Sequence, residues 1–151
     1  MALIRVVAER SIEAPPERIY AVLRDYREHH PNILPPAFSN YRVEEGGVGA
    51  GTIAAFTVTV GGRPRNFRVL VEEPEPGRVL RESDQESDLV TTFIVVPEGS
   101  GSRVQFETTW QSAGVSGLIE RLFAPRMLRG VYLDELERLD RYVRQLDAPS
   151  Q

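Results

Sequence analysis

The feature that most constrains the fold is a run of short strand-like segments between Tyr41 and Gln111. Brief turns rich in glycine and proline separate them, and no helical pattern intervenes. Consecutive short strands of this kind favour an antiparallel sheet. The predicted strands are 41–45, 52–60, 65–73, 78–83, 89–96 and 103–111. Such a sheet has an apolar face that another element must cover.

The segment before this run predicts one further strand and two short helices. Residues from Leu3 to about Ala14 largely alternate between apolar and polar, as in a half-buried strand. Pro15 and Pro16 then suit the start of a helix, because proline is tolerated in a first helical turn. The proline-interrupted stretch 30–36 predicts only a short helical turn and a loop.

The C-terminal part predicts a long helix from about Gly117 to Leu146, kinked or broken near Pro125. Its apolar residues step by three or four, which makes one stripe. The stripe comprises Leu128, Tyr132, Leu136, Leu139, Val143 and Leu146. Charged residues, including Glu135, are assigned to the other positions. This helix is the only element long enough to cover the sheet.

These elements predict a single α+β domain spanning residues 1–151, with a frayed tail over 146–151. A curved antiparallel sheet of about seven strands wraps around the C-terminal helix, and two short helices follow the first strand. A bent sheet touches a straight helix along a line and leaves space beside it, where a small molecule can bind. Which face of strands 78–83 and 89–96 points inward stays open, because both parities contain apolar residues.

Composition limits the chemistry of this space. The chain has neither cysteine nor lysine, which excludes thiolate and Schiff-base catalysis, and its only histidines are the adjacent His29 and His30. We therefore expect no metal and no cofactor. A net charge of -4 argues against nucleic acid as a partner. Without a signal peptide or an apolar run of membrane-spanning length, we expect a cytoplasmic protein without membrane insertion. We expect it to be a monomer or a weak homodimer.

Two short motifs have functional interpretations that we set aside. Gly47–Gly51 superficially resembles a dinucleotide-binding loop, but such a loop must lead into a helix and here a strand is predicted. Asp84, Glu86 and Asp88 form an acidic turn without the spacing of a calcium loop, so we predict a solvated turn.

The sequence resembles the START-related SRPBCC superfamily, and within it the bacterial polyketide cyclase/dehydratase and lipid-transport group. The similarity rests on the element order, on Ile12–Tyr20, on Gly49–Thr52 and on the final amphipathic helix. It implies the helix-grip, birch-pollen-allergen-like fold with a deep cavity. Because members differ widely in ligand, the resemblance implies a fold more than a function.

Several residues are candidates for the cavity. The expected ligand-binding residues are Arg10, Tyr26, Phe56, Phe67, Val69, Phe93, Phe106, Trp110, Leu122, Phe123, Met127 and Tyr132. The catalytic candidates are His29, His30, Tyr26 and Arg10, which offer the proton-transferring or charged groups of this region. If Arg10 points into the space between sheet and helix, it needs a partner there, either a carboxylate such as Glu72 or Glu82 or an anionic ligand group. Otherwise its side chain reaches solvent.

Three functions follow as alternatives. The first is binding of a small, mostly apolar molecule that is lipid-like or polyketide-like, as a carrier, sensor or scavenger. The second is an enzyme of the polyketide cyclase/dehydratase type, which needs mainly positioning and a proton shuttle. The third is a protein-interaction module that uses an exposed apolar strip.

Overall fold

A seven-stranded antiparallel sheet forms most of the fold. The computed structural model describes residues 3–111 and 125–147, and the proposed start of the C-terminal helix near Gly117 lies outside these residues. The strands are β1 (Leu3–Ile12), β2 (Phe38–Glu45), β3 (Ile53–Val60), β4 (Arg63–Glu75), β5 (Val79–Asp84), β6 (Val90–Glu98) and β7 (Gly101–Gln111). All the strands predicted from the sequence are present, with ends that differ by a few residues.

The strands follow the order β1-β7-β6-β5-β4-β3-β2, and every neighbouring pair is antiparallel. The sheet is therefore a meander from β2 to β7, closed by β1 beside β7. Ile4 opposes Trp110, whereas Arg10 opposes Val104 near the other end of the same pair. Register shifts between β2 and β3 and between β4 and β5 interrupt the ladders. Such irregularities bend a sheet.

The helices lie on one face of the sheet. Helix α1 spans Pro16–Arg24, a 3-10 turn spans His30–Ile33, and α2 spans Pro125–Asp147. Helix α2 contacts β1, α1 and the 3-10 turn. None of the helices within the described ranges is long and apolar enough to cross a membrane.

The structure establishes which strand faces point inward. On β5, Leu80, Glu82 and Asp84 are buried, and on β6, Thr91, Phe93 and Val95 are buried. These side chains share the concave face with the buried residues of β4 and β7. The inward face of the central strands is therefore apolar along most of its length but carries carboxyl groups on β5.

The two motifs set aside above are parts of turns. Gly47–Gly51 leads into β3 and not into a helix, as predicted. Asp84, however, is buried and not solvated. Its carboxylate accepts hydrogen bonds from the backbone N–H of Arg68 at 3.1 Å and from the Ser87 hydroxyl at 2.7 Å. Burial of this charge is offset by the hydrogen bonds that fix the β5–β6 turn.

Candidate functional site

An apolar cavity lies between the concave face of the sheet and α2. Its walls include Phe38, Phe56, Phe67, Val69, Phe93 and Leu128. The space open to the centres of water-sized molecules measures about 50 Å³. Pockets that hold drug-sized ligands measure roughly 300–1,000 Å³, so such a ligand requires the wall to widen. Leu34, Phe38 and Phe56 are only half-buried, and we call these three residues the mouth of the cavity.

A hydrogen-bonded pair of Tyr26 and Glu82 forms one polar part of the wall. The Tyr26 hydroxyl donates to the Glu82 carboxyl over 2.6 Å, and both residues are buried. Burial raises the pKa of Glu82 to about 7, although the Tyr26 hydrogen bond opposes this rise. Burial of the Tyr26 hydroxyl, together with the nearby Glu82 charge, raises the pKa of Tyr26 well above its ordinary value. Glu82 therefore titrates near neutral pH.

His30 and Glu135 form a second polar part of the wall. The His30 Nδ1 lies 2.7 Å from the Leu23 carbonyl oxygen, so Nδ1 carries the proton and donates it to that carbonyl. The unprotonated Nε2 then faces the Glu135 carboxyl at 3.9 Å. Burial lowers the pKa of His30 to about 4, and burial together with the Glu82 charge raises the pKa of Glu135 well above its ordinary range. Near neutral pH His30 is thus a neutral base, and its burial favours the neutral acid form of Glu135.

Aromatic and hydroxyl groups hold this cluster in place. The His30 ring stacks on Tyr26 with centroids 4.5 Å apart and meets Phe93 edge-on at 5.8 Å. Next to Glu82 on the sheet, Thr91 lies 2.8 Å from the Thr108 hydroxyl, and Thr108 hydrogen-bonds to Tyr132. Buried polar groups that are hydrogen-bonded in this way rigidify a site. We call Tyr26, His30, Glu82 and Glu135 the inner polar cluster.

The inner polar cluster combines proton donors and acceptors in a mostly apolar surrounding. A protonated Glu135 can donate a hydrogen bond, and the His30 Nε2 can accept one. Glu82 changes between the two roles near pH 7. The arrangement can bind a neutral carbonyl or hydroxyl group, and it can move a proton between ligand atoms.

Most of the aromatic residues predicted for the cavity do line it. Tyr26, Phe56, Phe67, Val69, Phe93 and Tyr132 all belong to its wall, as does the catalytic candidate His30. Phe56, Phe67 and Val69 alternate along their strands and Tyr132 follows the helical spacing, so these four were predictable from the pattern of the sequence.

Two predicted polar residues lie elsewhere. Arg10 reaches the C-terminal half of α2, where its Nε donates to the Asp140 carboxylate over 2.8 Å. Its partner is therefore neither Glu72 nor Glu82, and 40% of its side chain is exposed. His29 points away from His30 and pairs with the Tyr142 hydroxyl at 2.8 Å. Neither residue lines the cavity.

The remaining predicted wall residues also differ in position. Phe106 and Trp110 are fully buried in the core without lining the cavity. Met127 lies on a surface-facing side of α2 and is 44% exposed. Its side chain is close to Gly61 in the β3–β4 hairpin. Leu122 and Phe123 lie outside the described residues.

Glu82 and Glu135 were not identified as cavity residues from the sequence. Glu135 was assigned to the polar positions of the helix because of its charge, yet it is only 2% exposed. Its spacing from Leu128, Tyr132 and Leu139 follows the buried stripe, and that spacing was the available signal. Glu82 was considered only as a partner for Arg10, because the inward face of β5 was undetermined.

One group of potential metal ligands occurs in the described chain, outside this cavity. Asp25, Glu28 and His29 bring ligand atoms within 4.8 Å of one another. The Asp25 carboxylate already accepts the backbone N–H groups of Arg27 and Glu28. The Asp25 carboxylate therefore caps the turn after α1.

The chain is similar to a known protein family and to several solved structures. The sequence matches the family described as "Polyketide cyclase / dehydrase and lipid transport" over residues 4–144. No curated protein matches it significantly. Among solved structures, the KanY protein is similar with a TM-score of 0.85 and 36% identity, covering 95% of this chain and 99% of that one.

Two further structures share the fold at lower identity. Protein TTHA0849 from Thermus thermophilus gives a TM-score of 0.77 at 24% identity, covering 96% of this chain and 100% of that one. Ara h 8.0201 gives a TM-score of 0.66 at 15% identity, covering 95% of this chain and 99% of that one. At these identities the likeness concerns the fold alone.

Proposed function

Because this chain belongs to the polyketide cyclase/dehydrase and lipid-transport family, we propose that it binds a small, mostly apolar molecule between the sheet and α2. Family and fold support hydrophobic ligand binding or cyclase-like chemistry in general. The observation that carries the binding proposal is the cavity itself, whose aromatic and aliphatic wall ends in the inner polar cluster. Apolar walls with a few convergent polar groups are typical of small-molecule sites.

The polar cluster restricts the part of the ligand that reaches it. Burial raises the pKa of Glu135 and favours its neutral form, and Glu82 is close to its titration point near pH 7. A neutral carbonyl or hydroxyl group can hydrogen-bond with these carboxyl groups. A carboxylate there would be buried beside the partly ionised Glu82, without a cationic partner in the inner polar cluster, which disfavours it. The ligand therefore has an apolar body and a neutral polar group directed inward.

Octanol is a suitable probe, because it has an apolar chain and one hydroxyl. Its affinity is measured from NMR shifts in the parent and in two variants with the same change on the same strand face. Val58 lines the cavity, whereas Val60 is the next inward position of β3 and does not. We expect Val58→Phe to fill space and weaken octanol binding by about tenfold, as expected for a lost apolar contact of about 1.4 kcal/mol.

Val60→Phe is the matched control and should retain the parent affinity. Thermal unfolding of both variants verifies that each is folded. Equal octanol affinity in all three proteins, or no octanol binding by the parent, would contradict binding in this cavity.

Proton-transfer catalysis is the second candidate function, and the inner polar cluster favours it. General bases work best when their pKa is near the operating pH, as the pKa of Glu82 is. In this scheme the Glu82 carboxylate removes a proton from the carbon beside a ligand carbonyl. The C–H electron pair forms an enolate, whose oxygen accepts a hydrogen bond from Glu135. Tyr26 positions Glu82 through its hydroxyl.

Exchange of carbon-bound hydrogen for deuterium tests this scheme. Methyl hexyl ketone is incubated with the protein in deuterium oxide, and its mass is followed. We expect incorporation to rise with pH as Glu82 ionises and to fall by about a hundredfold in Glu82→Gln. Glu72→Gln, on the adjacent strand and outside the cavity, should have no effect. Incorporation no faster than in buffer would exclude the catalytic scheme while leaving binding intact.

A further inference from the structure

Arg65 lies on the concave face of β4, beside the mouth of the cavity. It is two residues before Phe67 and four before Val69, so the three side chains share one strand face. Arg65 opposes Val58 on β3, and Val58 in turn opposes the mouth residue Phe38 on β2. The guanidinium carbon is 5.7 Å from the centre of the Phe67 ring. Arg65 is not itself part of the cavity wall, but Phe67, which it contacts, and Val58, which it opposes, are.

The polar groups of Arg65 are not fully matched by the described part of the protein. Its Nε is buried and has no hydrogen-bond partner there. Among the described residues, most other arginines pair with a carboxylate, as Arg68 does with Glu44 and Arg81 with Glu72. An arginine remains charged under all ordinary conditions, and a buried donor without an acceptor is costly. The side chain is thus available for an acceptor from outside the chain.

We propose that Arg65 binds the carboxylate of an amphipathic ligand whose apolar body occupies the cavity. A guanidinium presents two parallel N–H donors that match the two oxygens of a carboxylate. The opposite end of the cavity carries Glu82, whose ionised carboxylate repels an anion, and has no arginine among the lining residues of the described chain. These two ends orient the ligand, with its carboxylate at Arg65 and its apolar or neutral polar end toward the inner polar cluster. This inference rests on the proposed binding function and names the ligand class.

Octanoate and octanol have equal numbers of carbon atoms and differ in their polar group. The octanoate carboxylate would reach Arg65, whereas the neutral octanol hydroxyl can be directed toward the inner polar cluster. Binding of both is followed by NMR near pH 7, where octanoate is ionised. We expect Arg65→Gln to weaken octanoate binding by about tenfold or more, as for a lost charge-assisted hydrogen bond, and to leave octanol binding nearly unchanged. Arg65→Lys keeps the charge without the paired donors and should retain part of the octanoate affinity.

Arg63→Gln is the matched control, because Arg63 is an exposed residue on the same strand and loses the same charge. It should not alter octanoate binding, apart from a small effect that salt screens. If octanol binds but octanoate is insensitive to Arg65→Gln, or equally sensitive to Arg63→Gln, the role of Arg65 is overturned and cavity binding stands. If neither compound binds, the proposed function fails, and the inference fails with it.

Discussion

At the scale of single residues, the fold controls the protonation of Glu82. Its carboxyl is buried beside Tyr26, and its pKa rises from the ordinary 4.5 to about 7. The unfolded chain therefore releases this proton at lower pH than the folded protein does. Glu82 leaves stability unaffected at about pH 4 and lowers it progressively as the pH rises to about 7. Full ionisation of the buried Glu82 carboxyl lowers the free energy of unfolding by about 3 kcal/mol.

Glu82→Gln should remove this cost while keeping an oxygen that accepts the Tyr26 hydrogen bond. We expect its free energy of unfolding to exceed that of the parent by a margin that grows between about pH 5 and pH 8. Urea denaturation across this range measures the margin. His30, with its pKa lowered to about 4, acts oppositely by lowering stability as the pH falls. The comparison therefore uses the difference between variant and parent.

Glu72→Gln is the control for this measurement, since Glu72 pairs with Arg81 at the surface. Its difference from the parent should be small and nearly independent of pH. A pH-independent margin for Glu82→Gln would show that the carboxyl of Glu82 ionises in the folded protein as it does in the unfolded chain.

At the scale of elements, α2 covers the sheet through one buried stripe. Leu136 and Leu139 are completely buried, whereas Leu133 on the same helix is 37% exposed. We expect Leu136→Ala to lower the free energy of unfolding by about 3 kcal/mol through lost burial and a residual cavity. Leu133→Ala should cost less than about 1 kcal/mol. Equal losses in urea denaturation would contradict the assignment of the helix faces.

The elements were predictable because their signals are periodic. Alternation along Leu3–Ile12 and the spacing of Leu128, Tyr132 and Leu136 depend on local backbone geometry. The site was only partly predictable. Glu135 has the helical spacing of a core residue, but its ionisable side chain is typical of a surface residue. Its environment is set by the sheet, the 3-10 turn and α2 together. The pairing of Arg10 with Asp140 likewise joins residues distant in sequence.

At the scale of the whole molecule, the family resemblance and the helix-grip fold predicted from the sequence are confirmed. Sheet and helix enclose a cavity with different ends, the mouth near Arg65 and the inner polar cluster. The cavity measures only about 50 Å³, so ligand binding requires a wider arrangement of its wall. The mouth residues are among the half-buried members of that wall.

The central claim is that a small, mostly apolar molecule occupies the space between the sheet and α2. Nuclear Overhauser contacts between octanol and the methyl groups of the protein test this claim most directly. We expect contacts to Val69, Leu89 and Leu128, which line the cavity on β4, before β6 and on α2. Contacts confined to the exposed Met127, or an absence of contacts to those three residues in octanol-saturated protein, would contradict the account.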